Sequence, residues 1–246
     1  MREVAKDVFC VEGTHVNWVL LREGSDLTLI DGGWHGDVAA VEESIRALGR
    51  RPEDVRAILL THAHVDHLGA LNPLRERHGV PVYMHPREVP HARREVLEQA
   101  TPLDVFKRVW RPRTLAWSLR IARAGALRHD VAVPHAEPFP AEGALDLPGR
   151  PVPIPCHGHT SGHSAYFLPG PGLVATGDAL VTGHPTSPFT GPHLLPEFFS
   201  HAPREANAAL DALGALEADV LVPGHGDPWR GPLAEAVATA RRRAAA

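Results

Sequence analysis

The segment Thr61-His62-Ala63-His64-Val65-Asp66-His67 contains three histidines and one aspartate within six consecutive positions. Neutral imidazole and carboxylate groups are ligands that suit zinc, manganese and iron. One short turn cannot aim all four side chains at a single tetrahedral ion, so the segment predicts a site for two metal ions. The chain has 17 histidines among 246 residues, yet the motif would occur by chance in only roughly 0.004 of shuffled chains of this composition.

The residues on either side place this segment on a loop between a strand and a helix. Val55 to Leu60 is apolar apart from one arginine, which is typical of a buried strand, and Leu68 to Arg77 has the pattern of a helix. Side chains at the carboxyl ends of strands can converge on a cleft. Because two ions need more than four ligands, we expect further ligands at the ends of other strands.

Three later segments provide such ligands. The run Cys156-His157-Gly158-His159-Thr160-Ser161-Gly162-His163 follows the apolar residues 151–155. Leu173 to Asp178 is typical of a strand that ends in a carboxylate, and Asp219 to Gly226 is typical of a strand that ends in a histidine between two glycines. The glycines allow the backbone to turn sharply beside each ligand.

This ordered set of motifs, His-x-His-x-Asp-His, His-Thr-x-Gly-His, Gly-Asp and Gly-His-Gly, resembles the metallo-beta-lactamase fold superfamily from about Val8 to His225. The resemblance implies a mixed α+β or α/β fold, namely a four-layer αβ/βα sandwich in which two sheets pack face to face with helices outside. It also implies a ligand set. His62, His64 and His159 would bind the first metal, Asp66, His67 and His225 the second, and Asp178 would bridge the two.

The cofactor that this resemblance implies is two Zn²⁺ ions per chain, with one Fe²⁺ or a mixture of zinc, iron and manganese as the alternative. A carboxylate and a hydroxide shared by two cations about 3.5–4 Å apart give a nucleophile that is ionised near neutral pH. Asp66 has a catalytic role in this scheme, because it can accept a hydrogen bond from the bridging hydroxide and aim it. The predicted function is hydrolysis of an ester, lactone, thioester or amide bond in a small molecule.

Two functions of other classes stay open. A mononuclear iron oxidoreductase would resemble the persulfide dioxygenases, which use two histidines and the aspartate and leave the second site empty. A metal-binding protein without catalysis is disfavoured, because it would have no chemical need for both Asp66 and Asp178.

Three departures narrow the choice among hydrolases. Hydroxyacylglutathione hydrolases of the superfamily have a long helical domain after the last ligand, whereas 21 residues follow His225 here. The best-known acyl-homoserine lactonases have a tyrosine at the position of Val181, so a lactonase would need a different donor to the substrate oxygen. The nuclease branch has an added domain or arm with basic surfaces, and this chain has neither apart from one helical insert.

The composition of the chain limits which classes of protein and which binding partners are expected. The chain is 43% hydrophobic and 22% charged, which is ordinary for a soluble globular enzyme. Its formal charge of −4 gives no global field that would attract nucleic acid. No apolar run approaches the ~20 residues that cross a bilayer, and residues 1–7 lack the apolar stretch of a signal peptide. We expect one domain over residues 1–246, located in the cytoplasm, that acts on a small molecule without nucleic acid or a membrane span, with homodimer formation left open.

Residues 86–134 are predicted to form a basic helical insert within this domain. Ten lysine or arginine residues stand against five acidic ones there. One interpretation is two amphipathic helices that cover the sheet; the other is a lid in which Trp110 or Trp117 lines an acyl pocket and arginines meet an anionic substrate. The mixture of charges disfavours binding to a membrane surface. Two apolar stripes separated by a break at Pro112 are predicted to face inward: Val105, Phe106, Val109 and Trp110, then Leu115, Leu119 and Ala122.

Several polar residues outside the ligand set have predicted roles. His184 and His193 lie in a proline- and histidine-rich loop, residues 181–203, where they could contact substrate. His163 is predicted to pack against or orient a ligand. Asp31 either orients a ligand histidine, as the resemblance implies, or only forms an Asp-Gly turn. His15 and His35 are expected near strand ends of the first sheet. The histidines expected at the surface are His78, His85, His91, His129, His135, His157 and His201.

Alternation and helical periodicity predict the remaining elements. They are an antiparallel meander of three strands (Val4 to Val11, Val16 to Arg22 and Leu27 to Ile30), a strand at Val80 to Met84, a hairpin from Ser164 to Ala175, and helices at Val38 to Leu48, Arg204 to Glu217 and Leu233 to Ala246.

Overall fold

A computed structural model of the chain describes residues 1–128 and 131–245. His129, which was expected at the surface, and Ala246, the predicted end of the last helix, lie outside the described residues.

The first half of the chain forms one sheet, in which the described residues contribute seven strands that are neighbours in sequence order. The first four strands pair antiparallel, and the fourth to the seventh pair parallel. The strands are β1 (Arg2–Ala5), β2 (Val8–Glu12), β3 (Asn17–Glu23), β4 (Asp26–Ile30), β5 (Val55–Leu59), β6 (Val82–Met84) and β7 (Ala136–Pro138).

The antiparallel part differs from the predicted three-strand meander in one respect. The segment predicted as a single strand from Val4 to Val11 is two strands, β1 and β2, joined by a turn at Lys6 and Asp7. Asp7 has a positive φ of 60°, and its backbone N–H donates to the Glu3 carboxylate at 3.0 Å. Aspartate tolerates this left-handed backbone better than most residues, which explains the turn.

Within the described residues, five α-helices connect the strands of this half of the chain. They are α1 (Val38–Ala47) between β4 and β5, α2 (Leu71–His78) between β5 and β6, and α3 (Val89–Ala92), α4 (Pro102–Phe106) and α5 (Pro112–Ala124) between β6 and β7. The last three belong to the helical insert, residues 86–134. Helix α5 has 13 residues, and no helix in the described part of the chain is both long enough and apolar enough to cross a bilayer.

The second half of the chain forms a five-stranded sheet in the order β14-β13-β10-β9-β8, together with a two-stranded ribbon, β11 and β12, within the described residues. The ribbon lies in the segment that was predicted as a loop. In chain order the elements are β8 (Val152–Pro155), β9 (Ser164–Leu168), β10 (Leu173–Gly177), β11 (Val181–Gly183), β12 (Thr190–His193), α6 (Pro203–Gly214), β13 (Val220–Pro223), β14 (Trp229–Arg230) and α7 (Leu233–Ala244).

Three apolar layers hold these elements together in the predicted four-layer order. Between the two sheets, Leu21 and Ile30 of the first pack in one cluster with Tyr166 and Val222 of the second. A second cluster joins the outer face of the first sheet to α1 and α2, and a third joins the outer face of the second sheet to α6 and α7. The architecture is therefore helix, sheet, sheet, helix, as expected for the αβ/βα sandwich.

The inward face of the helical insert differs from the prediction. Leu115 and Leu119 are 45% and 53% exposed, and Phe106 and Trp110 are 69% and 74% exposed. The buried residues of α5 lie on another face: Thr114, Trp117, Ile121 and Ala124. Pro112 is the first residue of this helix and so starts it where a break was predicted. The prediction of a helix here was correct. Its buried face is set by the packing of Trp117 in one cluster with Trp34 and Val16.

Candidate metal centre

The candidate ligands lie at the carboxyl ends of four strands, as predicted. Residues 61–67 follow β5, His159 follows β8, Asp178 follows β10 and His225 follows β13. Parallel pairing of β10 with β13 brings the ends of those strands to the same edge. The Tyr166 hydroxyl donates to the Leu60 carbonyl across the two sheets at 2.7 Å, which fixes the first ligand loop against the second sheet.

The first group contains His62, His64, His159 and Asp178, all of them buried. One ligand atom from each residue lies within 4.8 Å of the others. His159 Nε2 is 3.1 Å from His64 Nδ1 and 3.5 Å from Asp178 Oδ2. His62 Nε2 is 3.8 Å from the same carboxylate oxygen.

The second group contains Asp66, His67 and His225, whose ligand atoms also lie within 4.8 Å of one another. His225 Nε2 is 3.5 Å from Asp66 Oδ2, and His67 Nε2 is 3.9 Å from it. Asp178 lies between the two groups. Its Oδ2 is 3.1 Å from His225 Nε2 and its Oδ1 is 3.5 Å from His67 Nε2, so the carboxylate faces histidines of both groups.

The ligand atoms fit divalent metal ions. The buried atoms His62 Nε2, His67 Nε2 and Asp178 Oδ1 have no hydrogen-bond partner among the described residues, although buried polar atoms are normally paired. Polar atoms that face one another without a partner are costly in a dry interior. Cations placed between them would satisfy their lone pairs, and imidazole with carboxylate is the usual ligand set for such ions.

The second nitrogen of each ligand histidine is held by a defined partner. His67 Nδ1–H donates to Asp31 at 2.9 Å, and His62 Nδ1 is 3.0 Å from the Thr61 hydroxyl, which itself donates to Asp31 at 2.8 Å. Such outer contacts fix the tautomer and the orientation of a ligand ring. Three further partners complete the set: the Glu98 carbonyl for His64, the Ser200 hydroxyl for His159 and the His15 carbonyl for His225.

Asp31 therefore orients the ring of His67, a candidate ligand, and does more than form an Asp-Gly turn. The carboxylate also accepts the Thr61 backbone N–H at 2.8 Å, so it holds both the start of the ligand loop and the His67 ring. Asp31 has a left-handed backbone, with φ 63°, and this strained geometry turns the end of β4 beneath the ligand cluster.

Burial controls the protonation of the cluster. Burial first, and then the neighbouring imidazoles, hold the pKa of His62 and His159 well below the usual range. Burial and the nearby His91 lower the pKa of His64 to about 4. Burial alone would also lower the pKa of His67, but the carboxylates of Asp31, Asp178 and Asp66 raise it well above the usual range. A metal ion bound to His67 Nε2 would therefore have to replace a proton.

Two residues beside Asp178 keep its carboxylate in place. His163 is fully buried, and its Nε2 accepts the Asp178 backbone N–H at 3.1 Å, which agrees with the predicted orienting role. Gly224 approaches so closely that a Cβ atom there would lie 2.2 Å from Asp178 Oδ1. A side chain at position 224 would therefore displace the carboxylate.

Glu88, at the start of the helical insert, links the two main ligand loops and was not predicted from the sequence. It is fully buried. Its carboxylate accepts the Ala63 N–H at 2.7 Å and the Thr160 hydroxyl at 2.6 Å, and His91 Nδ1–H donates to it at 3.0 Å. His91 is buried, so its expected surface position was wrong. A single Pro-Arg-Glu stretch gives no periodic signal by which sequence reasoning could find this contact.

The predicted substrate contacts divide into two pairs. His184 and Trp117 line a cavity of about 210 Å³ that opens on Asp66, Asp178 and the ligand histidines, and their rings are 5.3 Å apart. The other two predicted contacts are absent from the lining that the described residues form. His193 is buried elsewhere, with Nδ1–H donating to the Gly191 carbonyl at 2.8 Å, and Trp110 is exposed to solvent.

Comparison with known proteins agrees with this architecture. Residues 11–225 match the family model of the metallo-beta-lactamase superfamily. A probable metallo-hydrolase of Bacillus subtilis, YflN, is 28% identical over 93% of this chain and 87% of its own length.

Two solved structures share the fold. TTHA1429, a metallo-beta-lactamase family protein of Thermus thermophilus, has a TM-score of 0.66 and 24% identity over 99% of this chain and 81% of that one. MEM-A1, a subclass B3 metallo-beta-lactamase from a soil metagenome library, has a TM-score of 0.64 and 19% identity over 99% of this chain and 93% of that one.

The fold and the cluster of histidine and aspartate side chains define a metallo-hydrolase, and the chain belongs to the metallo-beta-lactamase superfamily. It is a metal-dependent hydrolase of that superfamily.

Proposed function

We propose that this protein uses two divalent metal ions, zinc by preference, to hydrolyse an ester, lactone, thioester or amide bond of a small molecule. His62, His64 and His159 would hold one ion, Asp66, His67 and His225 the other, and Asp178 would bind both. Zinc is favoured because five of these seven side chains are imidazoles. These are the roles that the resemblance to the superfamily implies.

The position of Asp178 carries this proposal. Its Oδ2 lies 3.1 Å from His225 Nε2 of the second group and 3.5 Å from His159 Nε2 of the first, and its Oδ1 lies 3.5 Å from His67 Nε2 of the second. A buried carboxylate between two groups of candidate ligands, each with one unpaired imidazole nitrogen (His62 Nε2 and His67 Nε2), is the arrangement that a shared ligand requires. The neighbouring His225 and His67 hold the pKa of Asp178 well below its usual range against the opposing effect of burial, so the carboxylate is ionised.

When bound, a pair of divalent ions lowers the pKa of water toward neutrality and withdraws electrons from a substrate carbonyl. Asp66 is the ligand-group residue placed to handle the proton of that water. It is partly exposed, with 16% of its side chain accessible, and it lines the cavity. We assign it the task of accepting a hydrogen bond from the attacking water and orienting it toward the substrate.

We assign to His184 the hydrogen-bond donor that this chain lacks at Val181, where the best-known acyl-homoserine lactonases have a tyrosine. The backbone N–H of Thr186 can only donate, and it lies 3.2 Å from His184 Nδ1. Nδ1 must therefore accept, which leaves the proton of the ring on Nε2. The ring lines the cavity beside His225, with ring centroids 5.0 Å apart. We assign this N–H to the oxygen of the substrate carbonyl or of the leaving group, where negative charge develops.

The completeness of the second group favours this function over the mononuclear iron oxidoreductase. A single-ion site would not require Asp66, His67 and His225 to converge within 4.8 Å. It would also give no role to the three carboxylates of Asp31, Asp66 and Asp178 that surround His67.

Elemental analysis of the purified protein, together with hydrolysis assays before and after chelation, tests the proposal. We expect about two zinc ions per chain, and loss and zinc-dependent recovery of activity on a panel of ester, lactone, thioester, beta-lactam and phosphodiester substrates. One iron per chain with no hydrolysis of any carbonyl substrate would contradict the proposal and support the oxidoreductase.

A further inference from the structure

The cavity above the ligand cluster has two unlike ends. One end contains the cluster itself, and the other is walled mainly by the helical insert and by the segment that precedes α6. The wall is apolar and partly aromatic, and its main contributors are Trp34, Val105, Trp117, Ile121, Leu195 and Phe199. Trp117 and Phe199 meet edge to face with centroids 6.0 Å apart, so the wall has a defined shape before any ligand binds.

The charge of this wall differs from that of the rest of the helical insert. Among the described residues, no lysine or arginine lines the cavity, although residues 99–128 contain seven of them and only one acidic residue. The cations lie on the other side of the insert: Lys107, Arg111, Arg113, Arg120 and Arg123 are exposed. The expectation that arginines of the insert would meet an anionic substrate in this pocket is therefore not met by the described residues.

The polar side chains of the wall are neutral. Gln99, Thr101 and Ser118 line the cavity, and they could accept or donate single hydrogen bonds. A carboxylate or phosphate at this end would lose its hydration without gaining a paired charge, which is strongly unfavourable.

The size of the cavity limits the group that fits. Its volume of about 210 Å³ exceeds the roughly 150 Å³ cavity that holds one benzene molecule in an engineered protein. It is below the roughly 300 Å³ at which pockets for drug-sized ligands begin. A single ring or an alkyl chain of medium length matches this space.

We propose that the substrate is an uncharged carboxylic ester, linear or cyclic, whose apolar acyl group of medium length lies against Trp117, Ile121 and Phe199. This inference rests on the proposed function and specifies its substrate class. It excludes acyl groups that carry a carboxylate, and it excludes phosphodiesters.

A matched series of p-nitrophenyl esters tests the inference directly. Acetate, butanoate, hexanoate and octanoate differ only in acyl length, and the octanedioate monoester adds a terminal carboxylate to the longest chain. We expect kcat/KM to rise about two- to fourfold per methylene until the cavity is full, in proportion to apolar burial. The carboxylate-terminated ester should be at least about tenfold slower than octanoate. A flat series, or a preference for the anionic ester, would overturn the inference.

A charge placed in the wall gives a gain-of-function test. Ser118 lines the cavity, whereas Ala116 on the same helix is exposed and outside that lining. Ser118→Lys should shift the kcat/KM ratio about tenfold toward the carboxylate-terminated ester, because the new cation pairs the charge. Ala116→Lys adds the same charge to the same helix and should leave the ratio unchanged. Equal shifts in both variants would show a general electrostatic effect and contradict a selective wall.

A binding measurement separates this inference from the proposed function. Octanamide and the monoamide of octanedioic acid are not expected to turn over rapidly, and they differ by one terminal carboxylate. We expect octanamide to quench tryptophan fluorescence at concentrations at least about tenfold lower than the monoamide of octanedioic acid. This quenching should be largely lost in Trp117→Phe. Esters that resist hydrolysis while octanamide binds selectively would contradict the proposed function alone. Metal-dependent hydrolysis without any preference for octanamide would contradict the substrate class alone.

Discussion

The ligand cluster and the apolar wall line the same cavity of about 210 Å³. They differ in the interactions that hold their side chains in place. In the cluster, every ligand histidine has one nitrogen toward the candidate metal positions and the other held by a named partner, such as Asp31 for His67 and the Glu98 carbonyl for His64. In the wall, Trp117, Ile121 and Phe199 contact one another as apolar surfaces.

This difference separates catalysis from selectivity. A polar network tolerates little change, because removing one partner leaves another buried group unpaired. An apolar wall tolerates substitutions that preserve its volume. We therefore expect changes in the cluster to reduce metal binding and turnover on every substrate, and changes in the wall to alter the ranking of substrates.

The largest effect is expected at the shared ligand. Asp178→Asn keeps the volume of the side chain but removes the charge that faces both groups of histidines. The ion of the second group should be lost first, and turnover at neutral pH should fall by at least about 10³ on all substrates. Metal content and kcat of the purified variant measure both effects.

His157→Ala provides the control for that substitution. His157 lies two residues before His159, but its ring packs against His85 at 4.8 Å and is not part of either ligand group. Its metal content and turnover should match those of the wild type. Wild-type turnover in Asp178→Asn, or loss of metal in His157→Ala, would contradict the ligand assignment.

A smaller effect is expected at His184. His184→Phe removes the donor at Nε2 and keeps a ring between Trp117 and Phe199. The kcat should fall about 10²-fold with little change in metal content, which is the size of effect seen when one donor to a developing oxyanion is removed. His193→Phe is the matched control, because His193 is buried but outside the cavity lining. Equal losses in the two variants would point to a structural role only.

Asp31→Asn should weaken metal binding without abolishing activity. Asparagine tolerates the left-handed backbone of this position, φ 63°, but it holds the His67 N–H less strongly than a carboxylate does. We expect about 10- to 100-fold weaker binding of the second ion, with turnover restored at high zinc concentration.

Asp37→Asn controls for the loss of a buried carboxylate, since Asp37 accepts hydrogen bonds from Thr14 and Trp34 away from the cluster. A zinc titration of both variants, followed by activity, is the measurement. Unchanged zinc affinity in Asp31→Asn would show that Asp31 supports the loop and not the ligand.

The same two regions differ in how far the sequence could predict them. The spacing His-x-His-x-Asp-His fixes four side chains on one loop, and the other ligands follow strands that alternation and glycine positions make visible. The order of layers follows from the same strands and helices. These features are local in sequence, so a single chain reveals them.

The helical insert could not be read this way. Leu115 and Leu119 have helical spacing, and so do Trp117, Ile121 and Ala124 on another face. Which face is buried depends on Trp34 and Val16, which belong to a distant, earlier part of the chain. Glu88 and His91 were missed for the same reason, because their partners are ligand loops that only the fold brings near. Long-range contacts decide whether these residues are buried, and local sequence patterns do not predict such contacts.

The smallest effect, and the most direct test of the wall, is expected from two tryptophans of the insert. Trp117 is 6% exposed and lines the cavity, whereas Trp110 is 74% exposed and does not. Trp117→Phe keeps an apolar ring while reducing its volume, so it should destabilise the fold by only about 1 kcal/mol and alter the fit of long acyl groups. We expect the kcat/KM ratio of octanoate to acetate esters to fall about three- to tenfold. Trp110→Phe should leave both the unfolding midpoint and this ratio unchanged, within about 0.5 kcal/mol for stability. Thermal unfolding and the two ester assays on both variants are the measurements. If Trp117→Phe loses activity on both esters in proportion to the unfolded fraction, Trp117 is a core residue alone. If the octanoate-to-acetate ratio changes in Trp110→Phe, the acyl group lies on the outer face of the insert.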